Sequence, residues 1–307
     1  MFPNISGSTQ AFLANLAAIQ LRMQQAQAQV SSGLRVQQAA DDPTEIAEIL
    51  QLQGDLAQNQ QIQSNLNSVS SMLGTADSAL QSALQAVENA TSLGTQGANS
   101  TATADERANL AQQVAGVLQT LVGISNTTFN GRYIFSGDLD TQPAYEVDPT
   151  QPEGVKQLVS APATQVVVDV NGTAISVSRT AQEIFDVRDA NGNPATGNVF
   201  AAVNSLLTAL QNNDQAGIAQ SVIALQSADQ YLNGQLAFNG QAENSISAAT
   251  TLAQQFQTQE TANLSQLRDA DVAAVAVQLN QEELQNQAAL SAESTLLQQR
   301  DLFGYIG

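Results

Sequence analysis

The chain has 307 residues, which is enough for two or three domains. Its 28 acidic and 9 basic residues give a formal net charge of −19, which disfavours binding to nucleic acid or to anionic membranes. It contains no cysteine and no histidine, which excludes disulfides, thiolate nucleophiles, Cys/His zinc sites and imidazole bases among these residues. Aromatic residues make up only 4%, and the Ala-, Leu- and Val-rich remainder suits closely packed helices.

The first predicted element is an amphipathic helix. Apolar residues alternate in steps of four and three from Phe12 to Val30, which is the a/d pattern of a coiled-coil seam. Gly33 is suited to end this helix in a left-handed turn. Residues 1–6 lack the basic and apolar regions of a signal peptide, so we expect any export to use a route without a cleaved signal.

Two further helices follow before the pattern changes. Residues 41–43, Asp-Asp-Pro, place an Asp cap before a proline and predict the start of a long second helix. Its seam is interrupted by Asn59 and Gln63, where we expect it to be locally exposed. Residues 103–106, Thr-Ala-Asp-Glu, form a capping box that opens a third helix, which ends before Asn130.

A short β-rich stretch comes next. Residues 132–136 have the pattern of a strand, and residues 166–170 and 174–177 flank Asn171-Gly172, the sequence of a type I′ hairpin turn. Helices are predicted to resume near Asn198, to continue from about 216 to 267, and to begin again after Arg268-Asp269-Ala270-Asp271.

The predicted fold is therefore mainly α with a small β-rich insert. The N- and C-terminal arms are of comparable length and are expected to pair as an antiparallel long-helix rod or coiled-coil bundle. We predict a terminal coiled-coil domain from residues 1–40 and 265–307, a helical rod domain from 41–130 and 198–264, and a small outer domain from 131–197.

The ends of the chain are the predicted functional site. Both are apolar helices with no partner inside the chain except each other, so we expect them to polymerise. The residues predicted to form the subunit interface are Phe12, Leu16, Ile19, Met23, Val30, Val272, Val275, Leu279, Leu302 and Phe303.

No catalytic, cofactor or metal residues are predicted. Asp41 and Asp42 are adjacent carboxylates, but they precede a proline and are interpreted as a helix cap. Residues 186–193 resemble a calcium loop only faintly, since the acidic spacing is wrong and no Glu closes it, so we interpret them as a turn.

Three motifs resemble the bacterial flagellin family, and within it the hook-associated proteins. Residues 31–36, Ser-Ser-Gly-Leu-Arg-Val, followed by Ala-Asp-Asp-Pro at 40–43, are similar to the family's N-terminal signature. Residues 130–137, Asn-Gly-Arg-Tyr-Ile-Phe-Ser-Gly, are similar to the point where junction proteins pass into their outer domain. Residues 268–271 with the Gln/Ala-rich stretch 283–289 resemble the family's C-terminal helix.

The resemblance implies an extracellular structural subunit that joins the flagellar hook to the filament. Such a subunit is exported unfolded by the flagellar type III route, after a cytoplasmic chaperone has held its C-terminal helix. Its partners would be copies of itself, a neighbouring hook-associated protein on the hook side, and flagellin or a second junction protein on the filament side. The alternatives are a filament flagellin, and an enzyme or calcium-binding adhesin carried by residues 131–197.

Overall fold

The computed structural model describes the backbone of residues 5–304 and the side chains of residues 10–295. The helices are α1 (Ile5–Ser32), α2 (Ile46–Gly97), α3 (Ala104–Ser125), α4 (Ala181–Phe185), α5 (Val199–Gln211), α6 (Gln215–Arg268) and α7 (Val272–Gly304). The strands are β1 (Thr128–Phe129), β2 (Arg132–Tyr133), β3 (Tyr145–Val147), β4 (Val155–Gln157), β5 (Val166–Val168) and β6 (Ala174–Ser176). They pair antiparallel as β1–β2, β3–β4 and β5–β6. The predicted mainly α fold with a small β-rich insert is confirmed.

The chain forms two compact units. The terminal unit consists of Met1–Gln58 and Gln257–Gly307, and the central unit consists of Asn59–Phe256. The boundary between them falls inside α2 and α6, so both helices contribute to both units. The three-part division of the chain proposed above stays a prediction.

The terminal unit has a small core of its own. Val36, Ile49 and Leu264 are buried together, and the half-buried residues around them come from the start of α2 and the end of α6. α1 packs against α7. Because so few side chains are fully buried here, most of the surface of α1 and α7 faces solvent in the isolated chain.

The central unit holds most of the hydrophobic core. Its main cluster brings together α2, α3, α5 and α6 around fully buried side chains such as Leu121, Phe200, Leu206 and Leu225. A second cluster lies along α2 and α6, where the β5–β6 hairpin covers Leu73 and Ile246 with the inner side of its strands. The alternation of inward and outward residues along these strands follows from the period of two of an extended chain.

The β-rich segment shares the main core. Phe135 and Phe185 contact each other edge to face, with ring centroids 6.1 Å apart, and Phe185 stacks on Phe200 of α5 at 5.8 Å. Tyr145 of β3 lies 5.1 Å from the same Phe200 ring. These side chains bury the apolar area that a short three-hairpin segment cannot bury by itself.

The predicted helix boundaries are explained by caps. The Thr103 hydroxyl accepts a hydrogen bond from Glu106 N at 3.2 Å while the Glu106 carboxylate accepts from Thr103 N at 2.7 Å, which confirms the capping box of α3. Asn198 caps α5 by accepting from Ala201 N. Asp271 accepts from two amides at the start of α7.

The predicted type I′ turn at Asn171-Gly172 is wrong, and one occurs at Asn130-Gly131 instead. Such a turn needs positive φ at both central residues, and Asn130 (φ 50°) and Gly131 (φ 78°) satisfy this between β1 and β2. In the β5–β6 hairpin only Gly172 has positive φ. There the Asp169 carboxylate accepts hydrogen bonds from Asn171 N and Thr173 N, which favours a type I turn followed by the left-handed glycine.

The prediction that the α2 seam is exposed at Asn59 and Gln63 is also wrong. Asn59 is only 4% exposed, and its amide donates to the Ala253 carbonyl of α6 at 2.9 Å. Gln63 donates to the same carbonyl at 3.3 Å and to the Asn59 side chain at 3.2 Å. Asn59 is therefore buried but satisfied, because a helical carbonyl has a second lone pair that can accept its amide, and Gln63 beside it is half-buried.

Candidate assembly surface on the terminal helices

α1 and α7 form an antiparallel pair. Where α1 ends, Ala270 N donates to the Gly33 carbonyl at 2.9 Å, just before α7 begins. Farther along both helices, Arg22 binds Glu282 through two hydrogen bonds, Nε to Oε1 at 2.8 Å and Nη2 to Oε2 at 3.2 Å. This bidentate pair raises the pKa of Arg22.

Arg35 lies in the connector between α1 and α2 and binds the end of α6. Its backbone N donates to the Arg268 carbonyl at 2.7 Å, and its guanidinium donates to the Leu267 carbonyl and to Glu45. The guanidinium also binds Asp42 at 2.9 Å. One arginine thus joins the α1–α2 connector to the end of α6.

Asp42 caps the turn of residues 43–45 that leads into α2, so the Asp-Asp-Pro pattern predicts the cap but places the start of the helix at Pro43 instead of Ile46. Its carboxylate accepts from the Thr44 hydroxyl at 2.7 Å and from the Thr44 and Glu45 amides. The Thr44 hydroxyl and the Arg35 guanidinium lower the pKa of Asp42 to about 2. The carboxylate is therefore ionised at neutral pH and stays so until the pH falls toward 2.

The predicted interface residues of α1 lie on its less exposed side. Phe12, Leu16, Ile19, Met23 and Val30 are all half-buried, and Ala26, which continues their seam, is 3% exposed. α7 is the helix packed against α1, so this seam serves the contact within the chain. Its part in contacts between subunits stays a prediction.

The predicted interface residues of α7 differ in how far their side chains are exposed. Val275 and Leu279 are half-buried, whereas Val272 is 44% exposed. Leu302 and Phe303 lie outside the residues whose side chains are described.

Toward its C-terminal half, α7 turns polar residues to its less exposed side. Glu282 is 6% exposed, and Asn286 and Glu293 follow it on the same side of the helix. The side-chain oxygen of Asn286 is buried with no hydrogen-bond partner. An unsatisfied buried acceptor costs free energy, so this half of α7 is poorly matched to the apolar seam of α1.

Large apolar side chains point away from the pair instead. Leu13 and Leu21 of α1 are 52% and 57% exposed, and Val277 and Leu284 of α7 are 57% and 66% exposed. The heptad reasoning missed these residues because it followed one seam along each helix. The sequence feature that could have indicated them is the recurrence of leucines outside the a/d positions of α1, a helix with a single charged residue, Arg22.

The acidic side chains of residues 186–193, the stretch that faintly resembles a calcium loop, bind donors of the protein itself. The Asp186 carboxylate is fully buried and accepts from the Tyr145 hydroxyl at 2.9 Å, from Arg188 at 2.9 Å and from the Asn198 amide at 2.8 Å. Burial, with the nearby Asp186 carboxylate, raises the pKa of Tyr145. Asp189 accepts from two backbone amides and closes a turn. The oxygens that a metal would use are thus engaged by protein donors.

No group of three or more acidic side chains is placed to hold a metal ion among the described residues. No described helix is long and apolar enough to cross a membrane.

The N-terminal part of the chain matches a known family. Residues 4–140 match the family model described as the bacterial flagellin N-terminal helical region. Flagellar hook-associated protein 3 of Escherichia coli K12 is 30% identical over 190 residues, which cover 60% of this chain and 58% of that relative. The matched region therefore spans less than two thirds of the relative's length.

Solved structures share the fold. The flagellar hook-associated protein-3 of Legionella pneumophila superposes with a TM-score of 0.60 at 13% identity, covering 71% of this chain and 98% of that one. The flagellar junction protein FlgL of Legionella pneumophila gives a TM-score of 0.54 at 12% identity, covering 66% and 99%. These matches confirm the resemblance of this chain to the hook-associated proteins of the bacterial flagellin family, and the match to the family model covers residues 4–140.

Proposed function

We propose that this chain is a structural subunit of the bacterial flagellum that joins the hook to the filament and polymerises through α1 and α7. The observation that carries the proposal is the surface of the α1–α7 pair. α1 carries one charge, already paired with Glu282, and exposes Leu13 and Leu21. A helix on a soluble monomer normally presents charges on its outer face, so this surface is built to be covered.

The predicted interface residues have a defined part in this proposal. Phe12, Leu16, Ile19, Met23 and Val30 lie on the less exposed side of α1, which packs against α7, and Val275 and Leu279 lie on the less exposed side at the start of α7, so that the pair offers a formed surface to neighbouring subunits. Val272 extends this surface at the start of α7, whereas Leu302 and Phe303, whose side chains lie outside the described residues, stay predicted interface residues. Self-association is favoured once the gain from burying the outer apolar area exceeds the cost of ordering the two helices.

The proposed partners follow the family resemblance. A hook-associated protein lies on the hook side, flagellin or a second junction protein lies on the filament side, and an export chaperone holds the C-terminal helix in the cytoplasm. The chain then acts outside the cell as a flagellar component. Its role is structural and requires no catalytic residue and no cofactor.

The motif at residues 130–137 favours a junction protein over a filament flagellin. Arg132 binds Asp140 at 2.7 Å, and Tyr133 N donates to the Asp140 carbonyl at 2.8 Å. Phe135 is 4% exposed in the main core of the central unit. Because the Arg-Tyr-Ile-Phe residues build the passage from α3 into the β-rich segment, they are a structural feature of this chain and not an incidental match.

Deleting the gene in the source bacterium tests the proposal. We expect cells with hooks but no attached filaments and with flagellin released into the medium, and we expect the intact gene to restore filaments. Filaments that remain on the hooks of the deletion strain would contradict the junction role. Seeded growth of long filaments from the purified chain alone would favour the flagellin alternative.

A further inference from the structure

A cleft lies between α2 and the β1–β2 hairpin, within the central unit. Its volume is about 380 Å³. Sites for small molecules typically have volumes of roughly 300–1,000 Å³. Ser68, Val69 and Met72 line the cleft from α2, and Tyr133 lines it from the hairpin. The stretch 130–137 therefore does more than join α3 to the β-rich segment, since part of it faces an open cleft.

Hydrogen bonds hold the hairpin side of this cleft in place. Arg132 binds the Asp140 carboxylate at 2.7 Å, and Tyr133 N donates to the Asp140 carbonyl at 2.8 Å. The Asp138 carboxylate accepts from Thr164 N at 3.1 Å and from the Thr164 hydroxyl at 2.8 Å. A preformed site loses little conformational entropy when a ligand binds, so this cleft is suited to hold a small molecule.

The charges of the lining exclude two classes of ligand. Arg132 and Asp140 are the only charged residues among the described residues that line the cleft, and they pair with each other. Neither an anion nor a cation therefore finds an unpaired opposite charge there. The remaining polar groups are neutral and belong to Ser68, Asn130, Tyr133, Gln165 and Ser178.

The uncharged polar groups also argue against a purely apolar ligand. Ser178 lines the cleft, and its hydroxyl has no hydrogen-bond partner among the described residues. Asn130 and Gln165 are exposed and would be covered by any ligand that fills the cleft. A ligand without polar groups would leave these amides without partners, which costs free energy. The lining is thus matched by a neutral molecule that has both hydroxyl groups and an apolar face.

We propose that this cleft binds a neutral saccharide unit. The C–H face of the sugar ring packs against the wall formed by Val69, Met72 and Tyr133. The hydroxyl groups at the edge of the ring bind the side-chain amides of Asn130 and Gln165. Saccharide binding is a function separate from the junction role, and it would let the subunit contact glycans outside the cell.

The test uses the purified full-length chain and saturation-transfer difference NMR. The probes are the methyl glycosides of glucose, galactose, mannose and N-acetylglucosamine, with lactose as a disaccharide. Ser68→Trp places a large side chain in the cleft from an exposed position of α2. The matched control is Ser70→Trp, which is also exposed but lies about 160° around α2 from Ser68, outside the cleft lining.

We expect at least one probe to receive saturation from the wild-type chain and from Ser70→Trp, and to lose it with Ser68→Trp. Gln165→Ala removes one hydrogen-bonding amide and should weaken the binding of that probe by roughly threefold to tenfold. No transfer to any probe, or equal transfer with Ser68→Trp and Ser70→Trp, would overturn the proposal.

Reintroducing the two tryptophan variants into the deletion strain separates this proposal from the junction role. Because the cleft serves a saccharide, both variants should restore filaments as the intact gene does. If Ser68→Trp failed to restore filaments while Ser70→Trp succeeded, a neighbouring subunit would cover the cleft and the saccharide proposal would be wrong. The junction role would stand in that case, since the intact gene would still restore filaments.

Discussion

Truncating Phe185 should destabilise the helices of the central unit as well as the β-rich segment. Phe185 is fully buried between Phe135 of that segment and Phe200 of α5. Replacing a buried phenylalanine by alanine removes its transfer free energy and leaves a cavity, at a cost of about 3–5 kcal/mol. Since the lost contacts lie on both sides of Phe185, this cost falls on the shared core.

The assay is thermal unfolding followed by both far- and near-ultraviolet circular dichroism. For a unit of about 200 residues, each kcal/mol lowers Tm by about 2–4 °C, so Phe185→Ala should lower Tm by about 6–20 °C. The helical and aromatic signals of the central unit should fall together. Leu139→Ala in the same segment is the control, because that side chain is 52% exposed and its loss should cost about 0.5 kcal/mol or less.

A different result would separate the β-rich segment from the helical core. If Phe185→Ala abolished the near-ultraviolet signal while the helices melted at the wild-type temperature, the segment would be an independent domain. The reasoning from the shared aromatic cluster would then be refuted. Residues 131–197 would in that case be removable, with residue 130 joined to residue 198, and the helices would stay folded.

Three further predictions concern the helices and the connector. Leu73→Asp, at a side chain 2% exposed in the central core, should lower Tm far more than Leu16→Asp on half-buried α1, and equal losses in thermal melts would show that α1 belongs to the stable core. Asn59→Ala should cost about 1–2 kcal/mol in urea unfolding, because a buried hydrogen bond to an α6 carbonyl is lost, and a neutral outcome would mean that water replaces it. The Thr44 hydroxyl helps to lower the pKa of Asp42 to about 2, so ionised Asp42 stabilises the fold above about pH 4 and this contribution is lost as the pH falls toward 2. Asp42→Asn should therefore be less stable than wild type above about pH 4 and converge with it near pH 2, and a constant difference in urea unfolding would contradict the assignment.

Local chemistry was sufficient to predict the long helices and most of their boundaries, although it missed the short α4 and the start of α2 at Ile46. The Thr103–Glu106 capping box, the Asn198 cap and the end of α1 before Gly33 each depend on residues that are neighbours in the chain. The family resemblance could be recognised for the same reason, since its motifs are short contiguous stretches. None of these features requires knowledge of what packs against the helix.

The Asn-Gly dipeptide by itself did not decide the turn type. Asn130-Gly131 and Asn171-Gly172 have the same dipeptide, yet only the first forms a type I′ turn. The second is overridden by the Asp169 carboxylate, which binds two amides across the loop. The difference between the two turns therefore depends on the residues around each dipeptide and not on the dipeptide alone.

The tertiary structure also decided which faces of the helices are buried. A polar seam residue such as Asn59 can be exposed, or buried against a carbonyl, and only the position of Ala253 on α6 distinguishes the two. α7 has apolar residues around much of its circumference, so its sequence pattern could not show that Glu282 faces α1 while Leu284 faces solvent. The sequence by itself determined that the first and last helices are rich in apolar residues. Their packing against each other decided which side of each remains available to a neighbour, because burial depends on contacts between residues far apart in the chain.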